Sequence, residues 1–282
     1  MAVRVDESAA ARRTDGQRLG YGADGDRLPV TDRRAVLIHF LLVTLGSADL
    51  VELALRSIDK YVDPCTVDLV ALPDTTTDPM AHGNAIDFWR IRQKVGVKDS
   101  DIVVVMDPDC VILSEWFQRE MEQAFTDPKV AIWGAGNQRA WGPRVHASML
   151  AIRGQVFNDY QYTFCAVGSG DWRDTGGRYC QLVSGAEWKL KPVEQHLDWN
   201  GISCWRHYDP LALVTDYPLW AHLGGGSHSD IHRMTWKQRY LVPWRRREIR
   251  KRERFKKAVL EHLARDTSTP GPSSHRGREV SG

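Results

Sequence analysis

Three apolar runs in the first half of the chain constrain its fold more than any other feature. Ala35 to Val43 (AVLIHFLLV), Val67 to Asp74 (VDLVALPD) and Asp101 to Asp107 (DIVVVMD) are each of strand length, and segments with helical spacing separate them. The first is apolar at almost every position, as expected of a strand buried on both faces. Between the runs, Ala48 to Tyr61 places Leu50, Leu53, Ala54, Ser57 and Ile58 near one stripe, and His82 to Val95 reads as a second helix. Strand, helix, strand, helix, strand in this order predicts an α/β protein with a mostly parallel, Rossmann-like sheet and helices on both faces. A helix over Ser114 to Phe125, with Ser114 as its cap, and a strand over Val130 to Gly136 continue the pattern. Beyond them VHASMLAI and LALVTDYPLWAHL read as further strands around a Trp-rich stretch.

The ends are different. Residues 1–32 are rich in Arg, Asp, Gly and Ala without apolar periodicity, and residues 267–282 are low in complexity, so both are expected to be disordered. That leaves one domain over 33–243 and a basic helix over 244–266. With 42% hydrophobic residues and eleven tryptophans, the body has ample material for a core. The formal charge of +2 gives no whole-protein nucleic-acid footprint, so no nucleic-acid partner is expected. Five cysteines without a CxxC pair read as reduced thiols, and MAVRVDESAAARRTDGQ lacks the apolar core of a signal peptide. The expected location is cytoplasmic.

The third run continues as VVVMDPDCVIL and meets two carboxylates separated by a proline. Residues two apart on a strand face the same side, so extended geometry through Pro108 would turn Asp107 and Asp109 toward one object. Hard divalent cations take oxygen ligands, commonly one or two carboxylates with substrate phosphates completing the shell. The pair therefore suits a clamp for Mn2+ or Mg2+ on a diphosphate. A bland alternative is that Asp109 makes an Asx-turn before the next helix. An EF-hand loop is excluded because Ile112 and Gln118 stand where Gly and Glu are needed, and neither a P-loop nor a GxGxxG fingerprint is present.

The order of these features resembles the GT-A fold glycosyltransferases, particularly the family 2-like enzymes, over roughly residues 34–230. AVLIHFLLV and its helix match the first unit of that family, Asp74 matches the acid ending the second strand, HGNAIDFW matches an HGxA-like helix start, and DPD matches the DxD motif. The resemblance implies a transferase using a nucleotide-diphosphate sugar. Asp74 would contact the donor base or ribose, His82, Gly83 and Asn84 would line the donor cleft, Asp107 would contact ribose or the metal shell, and Asp109 would be the main metal ligand. The family often has two adjacent acids and Gly-Ser at the second strand end, where this chain has Pro73-Asp74-Thr75.

Inverting enzymes of this family place a carboxylate base after the DxD. GSGDWRDTGG supplies Asp171 and Asp174, with Asp174 preferred because RYCQLV behind it reads as a helix; Asp174 or Thr175 fits that helix's N-cap equally well. Trp172 would stack on an acceptor sugar or fill the core, and His146 is a second acceptor-side candidate. His222, at the end of YPLWAH and before three glycines, matches the further metal ligand that such enzymes supply.

Nine Arg or Lys residues lie within WRRREIRKRERFKK, Trp244 to Lys257. A solvated helix face explains them; the sharper expectation is peripheral contact with anionic membrane lipid. Two rivals stand beside the glycosyltransferase reading. One is a sugar-phosphate nucleotidyltransferase, disfavoured because TLGSADL lacks the basic Gly-rich loop after the first strand; the other is a non-catalytic binder of nucleotide sugars or lipid surfaces.

Overall fold

The computed structural model describes residues 36–44, 48–72, 81–92, 96–136, 145–164, 176–193, 195–199, 202–206, 218–223 and 243–265. β1 (Ile38–Thr44), α1 (Ala48–Tyr61), β2 (Cys65–Ala71), α2 (Ala81–Arg92) and β3 (Ile102–Met106) follow in the expected alternation. β4 (Cys110–Ile112), α3 (Trp116–Ala124), β5 (Val130–Gly136) and β6 (Val145–Arg153) come next. The remainder is α4 (Gly154–Asn158), α5 (Gly177–Gly185), β7 (Lys189–Val193), β8 (Gln195–Trp199), β9 (Ile202–Arg206), β10 (Pro218–His222) and α6 (Pro243–Ala264).

Six strands form one sheet in the order β2-β1-β3-β6-β5-β7, and β4-β10-β9-β8 form a second. In the first sheet β2, β1 and β3 are parallel, β6 is antiparallel to both neighbours, and β7 is parallel to β5, so parallel pairing predominates. The second sheet is antiparallel throughout.

β1 is central and its residues are buried on both faces, which explains its unbroken apolar run. Phe40 and Leu42 face Ala54 and Ile58 of α1 and Phe117 and Met121 of α3. Leu41 and Val43 face Ile86 of α2, Val156 and Phe157 of α4, and Tyr179 and Val183 of α5. Helices thus cover both faces, and the expected fold class holds. β2 is an edge strand, and its alternating exposure, with Leu69 outward, follows from that position.

The second sheet was not foreseen as a unit. Its packing partner is α6, whose Phe255 and Val259 are fully buried against Leu50, Leu53, Val111, Ala221 and Leu223. The basic helix therefore has one face in the core. Arg252 is buried with it and pairs with Asp49 in the first turn of α1, and Lys256 reaches the other oxygen of Asp49 at 3.3 Å. Arg246, Arg247, Arg250, Arg254 and Lys257 lie exposed. No helix among the described residues is long and apolar enough to cross a membrane.

Two caps differ from expectation. Ser114 does not cap α3; its hydroxyl donates to Pro218 O at 2.8 Å, because pairing of β4 with β10 brings that carbonyl to it. The N-cap of α5 is Gly176, at a φ of 88°, a conformation a side chain would strain.

Candidate metal and donor site

The apolar run Val103–Leu113 is two strands in two sheets, joined at Asp107-Pro108-Asp109. β3 ends at Met106, and Asp107 N donates to Ser148 O of β6 at 3.0 Å. Cys110 N then donates back to Asp107 O at 3.0 Å, closing a turn over Pro108 and Asp109. Proline presets the backbone for the second position of such a turn and offers no N–H to a ladder. The extended geometry expected through Pro108 is thus replaced by a turn, and the two carboxylates converge by that turn rather than by strand alternation.

Their convergence point is His222. Antiparallel pairing sets His222 opposite Cys110, and Leu223 N donates to Asp109 O at 3.0 Å, tying the end of β10 to the DxD turn. His222 Nε2 lies 3.2 Å from Asp109 Oδ1 and 3.9 Å from Asp107 Oδ2. The Asp109 side chain is 0% exposed, His222 14% and Asp107 17%, so the cluster opens to solvent through Asp107 and His222. On the other side of Asp107, His82 Nε2 lies 3.8 Å from Oδ1. His82 belongs to the first turn of α2, where the helix dipole favours a neighbouring carboxylate.

These separations suit one cation. Two ligands about 2.1 Å from a shared octahedral ion lie about 3.0 Å apart when adjacent and about 4.2 Å apart when opposite. Burial disfavours the His222 imidazolium, yet Asp109 and Asp107 raise its pKa above the ordinary value, a sign of concentrated negative charge. Asp109, Cys110 and His222 also form a cluster of possible ligand atoms within 4.8 Å. Cys110 is the poorer member: burial first, then Asp109 and Asp107, push its thiol well up, and Sγ donates to Ser148 O at 3.1 Å. Hard cations prefer oxygen to sulfur, and the Cys110 thiol is already engaged by Ser148 O. Asp107, Asp109 and His222 are the oxygen and nitrogen groups here that could hold a divalent cation.

Gly83 is buried and Asn84 exposed beside His82 on α2. His146, on β6, has its ring centroid 6.2 Å from that of His222 and accepts from Ser148 N through Nδ1, so it borders the cluster. Asp74, Asp171, Trp172 and Asp174 lie outside the described residues. Ser148 was missed: its carbonyl anchors both Asp107 and Cys110, but a serine within VHASMLAI carries no chemical signature. Lys251 was read only as part of a charge run, whereas its ammonium donates to Leu223 O, next to His222.

No family model matches the sequence, and no curated protein is similar to it in sequence. Among solved structures, one likeness is to a mannosyltransferase from Pyrobaculum calidifontis in complex with GDP-Man and Mn2+, at 14% identity and a TM-score of 0.40. It covers 58% of this chain and 58% of that one, so the chain spans less than two thirds of that protein's length. The galactosyltransferase LgtC, in complex with donor and acceptor sugar analogues, is similar over 56% of this chain and 73% of its own, at 10% identity and a TM-score of 0.36. A 4-diphosphocytidyl-2C-methyl-D-erythritol synthase from Anaerococcus prevotii is similar over 59% of this chain and 91% of its own, again at 10% identity and 0.36.

Proposed function

We propose that the chain is a metal-dependent glycosyltransferase that moves a sugar from a nucleotide-diphosphate donor to a hydroxyl acceptor, with inversion. The observation that carries this reading is that His222 Nε2 lies 3.2 Å from the Asp109 carboxylate and 3.9 Å from that of Asp107 where β3 leaves the sheet. Ligands of open α/β sheets bind beyond the carboxyl ends of the parallel strands, which is where this cluster stands.

In this reading Asp109 and His222 would hold Mn2+ or Mg2+, with Asp107 completing the set at the solvent side, and the ion would supply positive charge against the departing diphosphate. His82, with Gly83 and Asn84, lines the donor side, and Asp74 contacts the base or ribose. His146 and Trp172 would bind the acceptor. Asp174 takes the acceptor proton as the new oxygen–carbon bond forms and the bond to the diphosphate breaks; Asp171 is the second candidate for that role. The exposed cations on the outer face of α6 would rest on anionic lipid, which sedimentation with phosphatidylglycerol vesicles tests against neutral vesicles.

The test is turnover of a panel of nucleotide sugars with and without Mn2+, by the natural protein and by Asp109→Ala. Metal-dependent hydrolysis or transfer lost in the variant is expected. Unchanged turnover in Asp109→Ala would overturn the metal role. Formation of nucleotide sugar and pyrophosphate from a nucleoside triphosphate would support the nucleotidyltransferase instead. Saturable nucleotide-sugar binding without turnover on any acceptor would support a binding protein.

A further inference from the structure

β4 has three residues and β10 five, yet between them they fix Asp109 and His222. Strands so short do not hold a register by themselves. Each is followed by a leucine whose two backbone groups are both engaged. Leu113 N donates to Leu219 O at 2.9 Å, and Leu113 O accepts from His262 Nε2 of α6 at 2.6 Å. Leu223 N donates to Asp109 O at 3.0 Å, and Leu223 O accepts from Lys251 Nζ of α6. The carbonyl is only an acceptor, so His262 carries its proton on Nε2, and the Tyr61 hydroxyl 3.1 Å away lies beside the same nitrogen. Between these two grips Phe255 and Val259 are buried against the side chains of Leu113 and Leu223. The contacts span three turns of α6, from Lys251 to His262, roughly the rise of about 16 Å that eleven helical steps give.

We propose that α6 sets the spacing of the metal ligands, with Lys251 and His262 as positioning residues that grip the chain ends of β10 and β4. The inference rests on the metal reading of the site. It makes the basic segment a working part of the site rather than an appendage, since its inward face holds both ends of a ladder, one of which carries Asp109 and His222.

The sign of one effect separates positioning from charge. Lys251 is a cation near His222, so its loss acting through charge alone would tighten binding of a divalent ion. Acting through geometry, its loss weakens that binding. Mn2+ titration calorimetry on the full chain, without donor, therefore compares the natural protein with Lys251→Met, His262→Phe and Lys256→Met. Methionine keeps most of the lysine stem, and phenylalanine keeps a ring against Trp199 and Tyr61. About a tenfold loss of Mn2+ affinity is expected for Lys251→Met and for His262→Phe, the lower end of the effect of residues that orient metal ligands. Lys256→Met, which loses an ion pair to Asp49 and one to Glu253 within α6 but, among the described residues, no contact to β4 or β10 that the ladder depends on, is expected to leave affinity unchanged. Equal or tighter binding in Lys251→Met, or equal losses in all three variants, would overturn the proposal. A metal-free readout keeps the two ideas apart: the His222 ring resonances should move in His262→Phe and stay in Lys256→Met. If the natural protein binds no Mn2+, the functional reading fails while these resonances still decide the role of α6; resonances that stay in His262→Phe overturn it.

Discussion

Asp49→Asn removes the carboxylate on which α6 closes, and its cost can be worked from burial. The Arg252 side chain is 4% exposed and Asp49 31%, and the guanidinium shares that carboxylate with Lys256. Removing one partner of a fully buried pair costs about 3–5 kcal/mol, whereas a fully exposed pair contributes no more than about 1 kcal/mol. Water reaches Asp49 but scarcely reaches Arg252, so the expected loss lies between, about 1–3 kcal/mol. The pH dependence has a definite sign. Burial pushes the Asp49 pKa up, but Arg252 and Lys256 outweigh it and leave the carboxyl below its ordinary value of 3.8. A depressed carboxylate contributes stability that is fully present above the ordinary value and is lost as pH falls through the folded one. Urea unfolding of the natural protein and Asp49→Asn at about pH 7 and about pH 3 should show a gap that narrows on acidification. A gap below about 0.5 kcal/mol at neutral pH, or one that widens in acid, would refute the reasoning.

Two further outcomes bear on the layers around the site. Phe117 is fully buried, with ring centroids 5.4 Å from Trp133 and 5.8 Å from Trp220 in edge-on contacts, so Phe117→Ala should cost about 3–5 kcal/mol in urea unfolding; a loss under about 1.5 would contradict this packing. Gly134 has φ +151° and a Cβ there would lie 2.1 Å from Met149 O, so Gly134→Ala should lower stability by at least about 1–3 kcal/mol in the same assay, where a neutral result would count against the β5–β6 register.

The parallel part of the sheet was legible because its strands are buried on both faces and its helices carry clear stripes. VVVMDPDCVIL shows the limit of such reading. One apolar run spans two sheets, because the turn at Pro108 redirects the chain without breaking hydrophobicity on either side. The strands KLKPV, QHLDW and ISCWR gave no period-two signal strong enough to read; KLKPV is placed by β5, distant in sequence, whereas QHLDW and ISCWR pair with each other as near neighbours in the chain. The candidate ligands followed from chemistry: carboxylates and imidazole at strand ends are singled out by type, and the structure brings His222 to Asp107 and Asp109. The roles of Ser148 and Lys251 were illegible because they act through backbone carbonyls, which any residue can supply. Likewise Ser114 met the local rule for a cap and was drawn off by Pro218 O.

The central claim is that Asp107, Asp109 and His222 hold a divalent ion for a nucleotide diphosphate. Calorimetric titration of the protein with a nucleoside diphosphate, with and without Mn2+, tests it most directly. Binding is expected to require Mn2+ and to be lost in both Asp109→Ala and His222→Ala. Binding of equal strength without the ion, or unchanged in either variant, would contradict it.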